Sequence, residues 1–320
     1  MKIKEYISSN FLNNETILRC STLENFIEHL PSSIIHLKID SSYEDKIEET
    51  LSQFKNSILV NLHFDFDFPL PKHPFSYINY KEQKEYLDIP YPDRVNKNVI
   101  KILEENNLQV FSTSVSFLHP RITFIPLGVF WGFNHFHLKT NEKSQLCYAN
   151  FGLGTEENNW FGYPRSEAFK IIQTKPFIKI ENVCSQHSKD TVKKVFTKTK
   201  NGTKTSFVIC KNIGRKTGNL DSFYEQISKS KFAICPRGCG IDTYRLWDCI
   251  VLGCIPIVER YESHAHFEDL PIYFIDNIKE IDKLTPELLE KVYDDFQQRS
   301  FNYAKLQLTF WKDKILQKSI

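Results

Sequence analysis

Between residues 235 and 259 the chain reads CPRGCGIDTYRLWDCIVLGCIPIVE. Arg237 and Arg245 supply fixed positive charge, and Asp242 and Asp248 supply carboxylates. Gly238 and Gly240 let the backbone turn tightly and approach a ligand closely. An apolar run, FAIC, leads in until Pro236 ends it, and CIPIV leads out. Between them Leu246 and Ile250 share one face, with Trp247 and Val251 beside it, so the spacing predicts a helix. Asp242 or Thr243 suits its start, and Gly253 suits its stop. The expected unit is strand, glycine loop, helix, strand. In such a unit loop amides and a helix N-terminus gather anions, at the carboxyl ends of parallel strands. Arg245 and Asp248, three residues apart, meet on one helix face. A carboxylate there accepts hydrogen bonds from a ribose diol while the loop holds phosphates. Nucleotide binding is the chemistry these residues point to.

The surrounding pattern must position that unit. SIIHLKI (33–39), SILVNLHFDFDF (57–68), LQVFSTS (108–114) and RITFIPLGVF (121–130) read as strands, and RVNKNVIKILEEN (94–106) as a helix. The pattern restarts with the strand QLCYANFGLG (145–154), and PRSEAFKIIQ (164–173) opens a helix with Pro164 in its first turn. PFIKI (176–180) is a further strand. SKDTVKKVFTKTKNGTKT (188–205) is lysine-rich and reads as a solvated helix and turn. SFVICKN is strand-like, NLDSFYEQISKS helical, and two amphipathic stretches, TPELLEKVYDDFQQRS and FNYAKLQLTFWKDKIL, close the chain. Alternating strands and helices predict an α/β fold with largely parallel sheets. The expectation is two Rossmann-like lobes, residues 1–140 and 141–320, facing a cleft where ligands bind.

CPRGCGIDTYRLWDCIVLGCIPIV, followed by HFEDLPIYFID, resembles the donor-binding block of exostosin-like glycosyltransferases and their bacterial and viral relatives. Those carry P-[RP]-G-x-G-x-D-x-x-R-x-W-E-x-L-x-x-G-x-I-P-I-V and, further on, D-L-P-I. The resemblance spans roughly residues 228–282 and extends more weakly to IPLG (125–128) and YANFGLGTEENNWFGYPR (148–165). The first 110 residues have no counterpart in it. It implies a GT-B fold, a nucleotide-diphosphate sugar of UDP or GDP type as donor co-substrate, no cofactor and no essential metal. Carried over by position, Arg237, Gly238, Gly240, Asp242, Thr243 and Arg245 form the donor loop and helix, and Arg165 faces the diphosphate. Asp248 stands where the family has Glu against the ribose, one methylene shorter.

HFDFDF (63–68) is the second chemistry-bearing stretch. In a strand His63, Asp65 and Asp67 share one face and the three phenylalanines the other. Three readings stay open. The polar face is a solvated sheet edge; or Asp65-Phe66-Asp67 is the D-x-D that binds a metal–diphosphate in the GT-A fold; or one of the three polar groups is the general base of an inverting transfer, taking the acceptor hydroxyl's proton. His119, His135 and His137 are further candidates for that base, although NHFHL (134–138) also fits a strand with one polar face.

Composition excludes some partners. Lysine plus arginine nearly balance aspartate plus glutamate, at 41 against 39, and no long basic run breaks that balance, so no nucleic-acid partner is expected. No run approaches eighteen apolar residues, so no membrane span is expected. MKIKEYISSNFLNNETILRC lacks the marks of a signal peptide, which makes the cytoplasm the expected location and reduced thiols the expected state. Cys235, Cys239, Cys249 and Cys254, even with His264 and His266, lack the paired close spacing of zinc sites. They read as small buried hydrophobes.

Two other readings compete. Gly238-x-Gly240 with Glu259 about twenty residues on mimics a dinucleotide fingerprint and an NAD-dependent oxidoreductase. Against it, Thr243 stands at the third glycine position, Pro236-Arg237 crowds the loop entrance, and Arg245 and Asp248 have no task. The third reading is a non-catalytic sugar-nucleotide-binding module, because fold does not fix activity.

Overall fold

The computed structural model describes residues 1–30, 34–37, 47–62, 95–113, 115, 117–130, 132–152, 162–181, 196–199, 202–205, 220–238 and 240–317. His63, Asp65 and Asp67 lie outside the described residues. The helices are α1 (Ile3–Ser8), α2 (Cys20–Ile27), α3 (Ile47–Ser52), α4 (Lys97–Glu105), α5 (Gly162–Ile172), α6 (Leu220–Lys229), α7 (Tyr244–Val251), α8 (Pro286–Gln298) and α9 (Leu308–Gln317). Among the described residues no helix is long and apolar enough to cross a membrane.

The architecture is mixed α/β with parallel sheets. β1 (Ile34–His36), β2 (Ile58–Asn61), β3 (Gln109–Ser112) and β4 (Ile122–Phe124) form one sheet in that order. Every pair is parallel, with Ile58 opposite both Ile34 and Gln109 and Val110 opposite Ile122. All of β2 is buried, which explains the apolar run Ile58–Val60 that leads to the buried Asn61. β5 (Gln145–Ala149), β6 (Ile178–Ile180), β9 (Ser230–Ile234), β10 (Ile255–Glu259) and β11 (Tyr273–Ile275) form a second parallel sheet, ordered β11-β10-β9-β5-β6. The break between the sheets falls between β4 and β5.

Three expectations are corrected. β7 (Phe196–Thr199) and β8 (Gly202–Thr205) pair antiparallel, where a solvated helix and turn were expected. The Asn201-Gly202 pair between two β-prone stretches was the signal, outweighed in the sequence reading by the lysines. RITFIPLGVF is strand only over Ile122–Phe124. Pro126 lacks an amide, Gly128 has φ of +70°, and the amides of Leu127 and Phe130 turn to carboxylates elsewhere in the chain. NHFHL is a 3-10 turn at Phe136–Leu138, with His135 as its N-cap.

The two ends of the chain are interleaved. Leu18 donates its amide to Leu306 at 2.8 Å, and Leu308 donates to Thr16 at 2.9 Å. The Tyr6 hydroxyl on α1 donates to the Val251 carbonyl of α7 at 3.0 Å, and the Tyr6 ring stacks on Tyr303 at 3.9 Å. Conversely α9 packs against α2, where Lys312 lies over the Phe26 ring.

Candidate functional site

β9 ends at Ile234, and the chain turns through Pro236–Ile241 into α7. The amide of Gly238 donates to the Gly240 carbonyl at 3.1 Å, which closes the loop on itself. α7 stops as its sequence implies. Gly253 has φ of +71°, its amide donates to Ile250, and Cys254 donates to Cys249. This is the pair of bonds that satisfies the last carbonyls of a helix ending in a left-handed glycine.

The start of α7 differs from expectation. Thr243 is the N-cap by position, but its side chain makes no capping bond. Asp242, just before it, turns inward, its Oδ1 accepting from the Thr243 amide at 2.8 Å and from Trp247 Nε1 at 2.7 Å. Its Oδ2 accepts from the Leu127 amide at 2.7 Å. Asp248, one turn on, accepts from the Phe130 amide at 3.1 Å and from the Tyr224 hydroxyl at 3.3 Å. It is 2 % exposed. The carboxylate whose spacing offered it to a ribose diol is thus occupied inside the protein. Both aspartates hold the segment that leaves the first sheet, residues 127–130, against the glycine-loop helix of the second.

Burial pushes the Asp248 carboxyl from 3.8 up to about 7, opposed by its two bonds and by the charges of Arg245 and Arg19. Burial likewise raises Asp242 to about 7. A carboxyl raised in the folded state favours folding below its unfolded pKa, and that contribution is lost as pH rises through the folded value. For Asp248 the window runs from 3.8 to about 7. His264 works oppositely. Burial and the Arg260 charge push it from 6.5 down to about 3, so its contribution is lost as pH falls through that range. Comparing Asp248→Asn with the parent isolates the carboxylate, because the amide still accepts from Phe130. The variant should gain stability relative to the parent on going from pH about 5 to about 8, by up to roughly 3 kcal/mol. Urea midpoints at the two pH values measure it; an unchanged difference would mean that Asp248 is ionised throughout.

Arg165 and Arg237 meet at the loop. Arg165, near the start of α5, donates from Nε to the Arg237 carbonyl at 2.8 Å and from Nη1 to the Gly152 carbonyl at 3.0 Å. It therefore joins the loop after β5 to the loop after β9. Arg237 is 3 % exposed; its guanidinium lies 5.6 Å from the centre of the Tyr261 ring, with Nη1 3.5 Å from the hydroxyl. Tyr261 in turn donates to Glu259 Oε2 at 2.9 Å. Arg245 is half-buried, and its Nε is shut off from solvent with no hydrogen-bond partner. The structure thus brings Arg165 to the loop of Arg237, Gly238 and Gly240, with Asp242 where that loop runs into α7 and Arg245 in the first turn of α7. It adds Glu259 and Tyr261, of which only the acid had a sequence signal, its distance from the two glycines.

The histidines are tied down. His119 Nδ1 accepts from the Arg121 amide at 3.2 Å, and its Nε2 lies 3.5 Å from Glu104. His135 is buried, with Nε2 2.7 Å from Asp221 and its ring against Tyr224. His137 lies 6.0 Å away, ring to ring.

Cys20, Cys147, Cys235, Cys249 and Cys254 are buried, with Cys235 and Cys249 3.9 Å apart at sulfur. Among the described residues the set of three metal-ligating side chains with donor atoms within 4.8 Å of one another is Glu24, Glu28 and His36, on α2 and β1. A cavity of about 660 Å³ opens between β11 and α8, lined in part by Arg260, Tyr273, Phe274 and Arg299. No residue of the glycine loop borders it.

No family model matches the chain, and no curated protein matches it. Among solved structures that match is an alpha-glucosyltransferase in complex with UDP-glucose and DNA containing an abasic site. It is 10% identical at a TM-score of 0.36, over 95% of this chain and 84% of that one. A likeness that loose decides nothing about activity, which must be read from the residues at the loop.

Proposed function

We propose that the protein is a glycosyltransferase of exostosin-like type, moving a sugar from a nucleotide-diphosphate donor to a hydroxyl of a glycan or other acceptor. In this reading the arrangement is GT-B, with residues 1–140 on the acceptor side and 141–320 on the donor side. The donor is of UDP or GDP type, transfer is inverting, and neither metal nor nucleic acid takes part. One observation carries it: Arg165 and Arg237 meet at a single glycine loop at the carboxyl ends of β5 and β9, and Arg245 lies in the first turn of the helix that follows. Planar guanidinium groups suit a diphosphate, which they bind through paired, charge-assisted bonds.

The chemistry follows. The acceptor oxygen attacks the anomeric carbon, and the bond from that carbon to the diphosphate oxygen breaks. Negative charge grows on the leaving diphosphate, and fixed guanidinium groups stabilise it more in the transition state than in the ground state. The acceptor's proton passes to a base, for which His63, Asp65 and Asp67 are the candidates.

A thermal-shift screen against UDP-, GDP- and CMP-sugars and NAD(H) tests the proposal. A ligand at a hundred times its Kd raises stability by about 2.7 kcal/mol. A UDP- or GDP-sugar should stabilise and NAD(H) should not; the reverse would favour the oxidoreductase. Arg237 is buried, so Arg237→Ala would also disturb packing. Arg237→Lys keeps the charge and loses the planar fork, and should weaken donor binding by about tenfold, read by titration calorimetry. Donor hydrolysis or transfer then separates an enzyme from a binding module.

A further inference from the structure

We infer that Glu259 accepts the ribose hydroxyls of the donor nucleotide and that Tyr261 positions it. The inference rests on the nucleotide-sugar reading of the same loop and names the sub-site that would hold the ribose.

Topology gives the first reason. The glycine loop leaves β9, α7 follows, and the next strand, β10, pairs with β9 in parallel. Glu259 is the last residue of β10. It therefore ends the strand beside the phosphate loop, on the same carboxyl edge of the sheet. A nucleotide whose phosphates rest on such a loop lays its ribose towards the end of the adjoining strand.

Orientation gives the second. The Tyr261 hydroxyl fixes Glu259 Oε2 at 2.9 Å. Tyr261 is fixed in its turn, because its amide donates to Nδ1 of His264 at 3.0 Å, and His264 is 1 % exposed. The same tyrosine ring packs under the Arg237 guanidinium. One side chain thus sets the spacing between a phosphate-binding cation and a carboxylate. Each carboxylate oxygen can accept more than one bond, so contact with Tyr261 leaves Glu259 chemically suited to a diol.

Elimination gives the third. Asp248 is 2 % exposed, shut inside the fold between the Phe130 amide and the Tyr224 hydroxyl. Glu181, just past β6, lies beyond β5 on the other side of β9 and pairs with Lys179 at 2.8 Å.

Titration calorimetry of the full chain with UDP, GDP and their 2′-deoxy counterparts tests the inference. The parent should bind the ribose form at least about tenfold more tightly than the deoxy form. Glu259→Gln should lower ribose-form affinity to the deoxy level and leave deoxy binding unchanged. Tyr261→Phe keeps the ring over Arg237 and should lose part of the same discrimination with an unchanged Tm. If Glu259→Gln preserves full discrimination, the inference is overturned. It is also overturned if that variant weakens only the nucleotide-sugar and not the free diphosphate, which would place the acid at the transferred sugar. Binding of neither diphosphate by the parent would sink the nucleotide-sugar reading itself. Loss of UDP or GDP binding in Arg237→Lys with none in Glu259→Gln would sink only the ribose assignment.

Discussion

Gly128→Ala should destabilise the protein by about 3–5 kcal/mol, a fall of roughly 4–7 °C in Tm. Two costs combine. Gly128 has φ of +70°, a region where a Cβ strains the backbone. The added Cβ would also fall inside contact distance of the Leu18 carbonyl. That oxygen cannot retreat easily, because it accepts from the Val129 amide at 3.1 Å, and Arg19 bridges Gly128 in antiparallel fashion. Gly253→Ala is the control. Its φ is +71°, but the nearest atom to its Cβ is the tip of the Ile7 side chain, which can rotate away. Its cost should be about 1–2 kcal/mol. Differential scanning calorimetry compares the two; if Gly253→Ala proves the more damaging, side-chain crowding outweighs the backbone contact and the account of residues 127–130 fails.

His63→Ala, Asp65→Asn and Asp67→Asn should divide sharply in turnover. The variant that removes the general base should lower kcat by about a hundredfold to ten-thousandfold with little change in donor affinity. A base acts on the acceptor's proton in the transition state and contributes little to holding the donor. Activity should survive EDTA, because arginines at the loop are proposed to take the charge that a cation would otherwise take. A D-x-D metal site makes the opposite forecast at the same residues: EDTA abolishes transfer, manganese restores it, and both Asn variants lose donor binding. Should all three substitutions leave kcat untouched, HFDFDF is structural, and His135, already paired with Asp221, becomes the next residue to change.

The glycine-loop unit was legible because its signals are local. Leu246 and Ile250 at helical spacing, Gly253 after them and β-branched runs on either side all act within one element, and each appears in the structure as expected. What Asp242 and Asp248 touch was not legible. Their partners, Leu127 and Phe130, lie 115 and 118 residues away, and an acid on a helix face looks the same whether it meets a ligand or a backbone amide. RITFIPLGVF misled for a related reason. Its apolar residues are buried as a strand's would be, but Pro126 and Gly128 break the ladder and free the amides that the two aspartates take up. The pairing of β7 with β8 was a competition between two local signals, and the Asn-Gly pair prevailed over the lysine-rich composition.

The interleaved ends bear on the order in which the chain can be completed during synthesis. Thr16 to Leu18 pair with Leu306 to Leu308, so this segment waits for partners synthesised about 290 residues later. At about 5–20 residues per second that delay is roughly 15–60 s. Over that interval Tyr6 and Ile7, both buried in the finished fold, have no Tyr303 or Gly253 to cover them. The first sheet, β1 to β4, can close long before then, because its strands are all made by residue 124. Nascent chains stalled before residue 300 should therefore carry a protected first sheet and an N-terminal segment still open to protease.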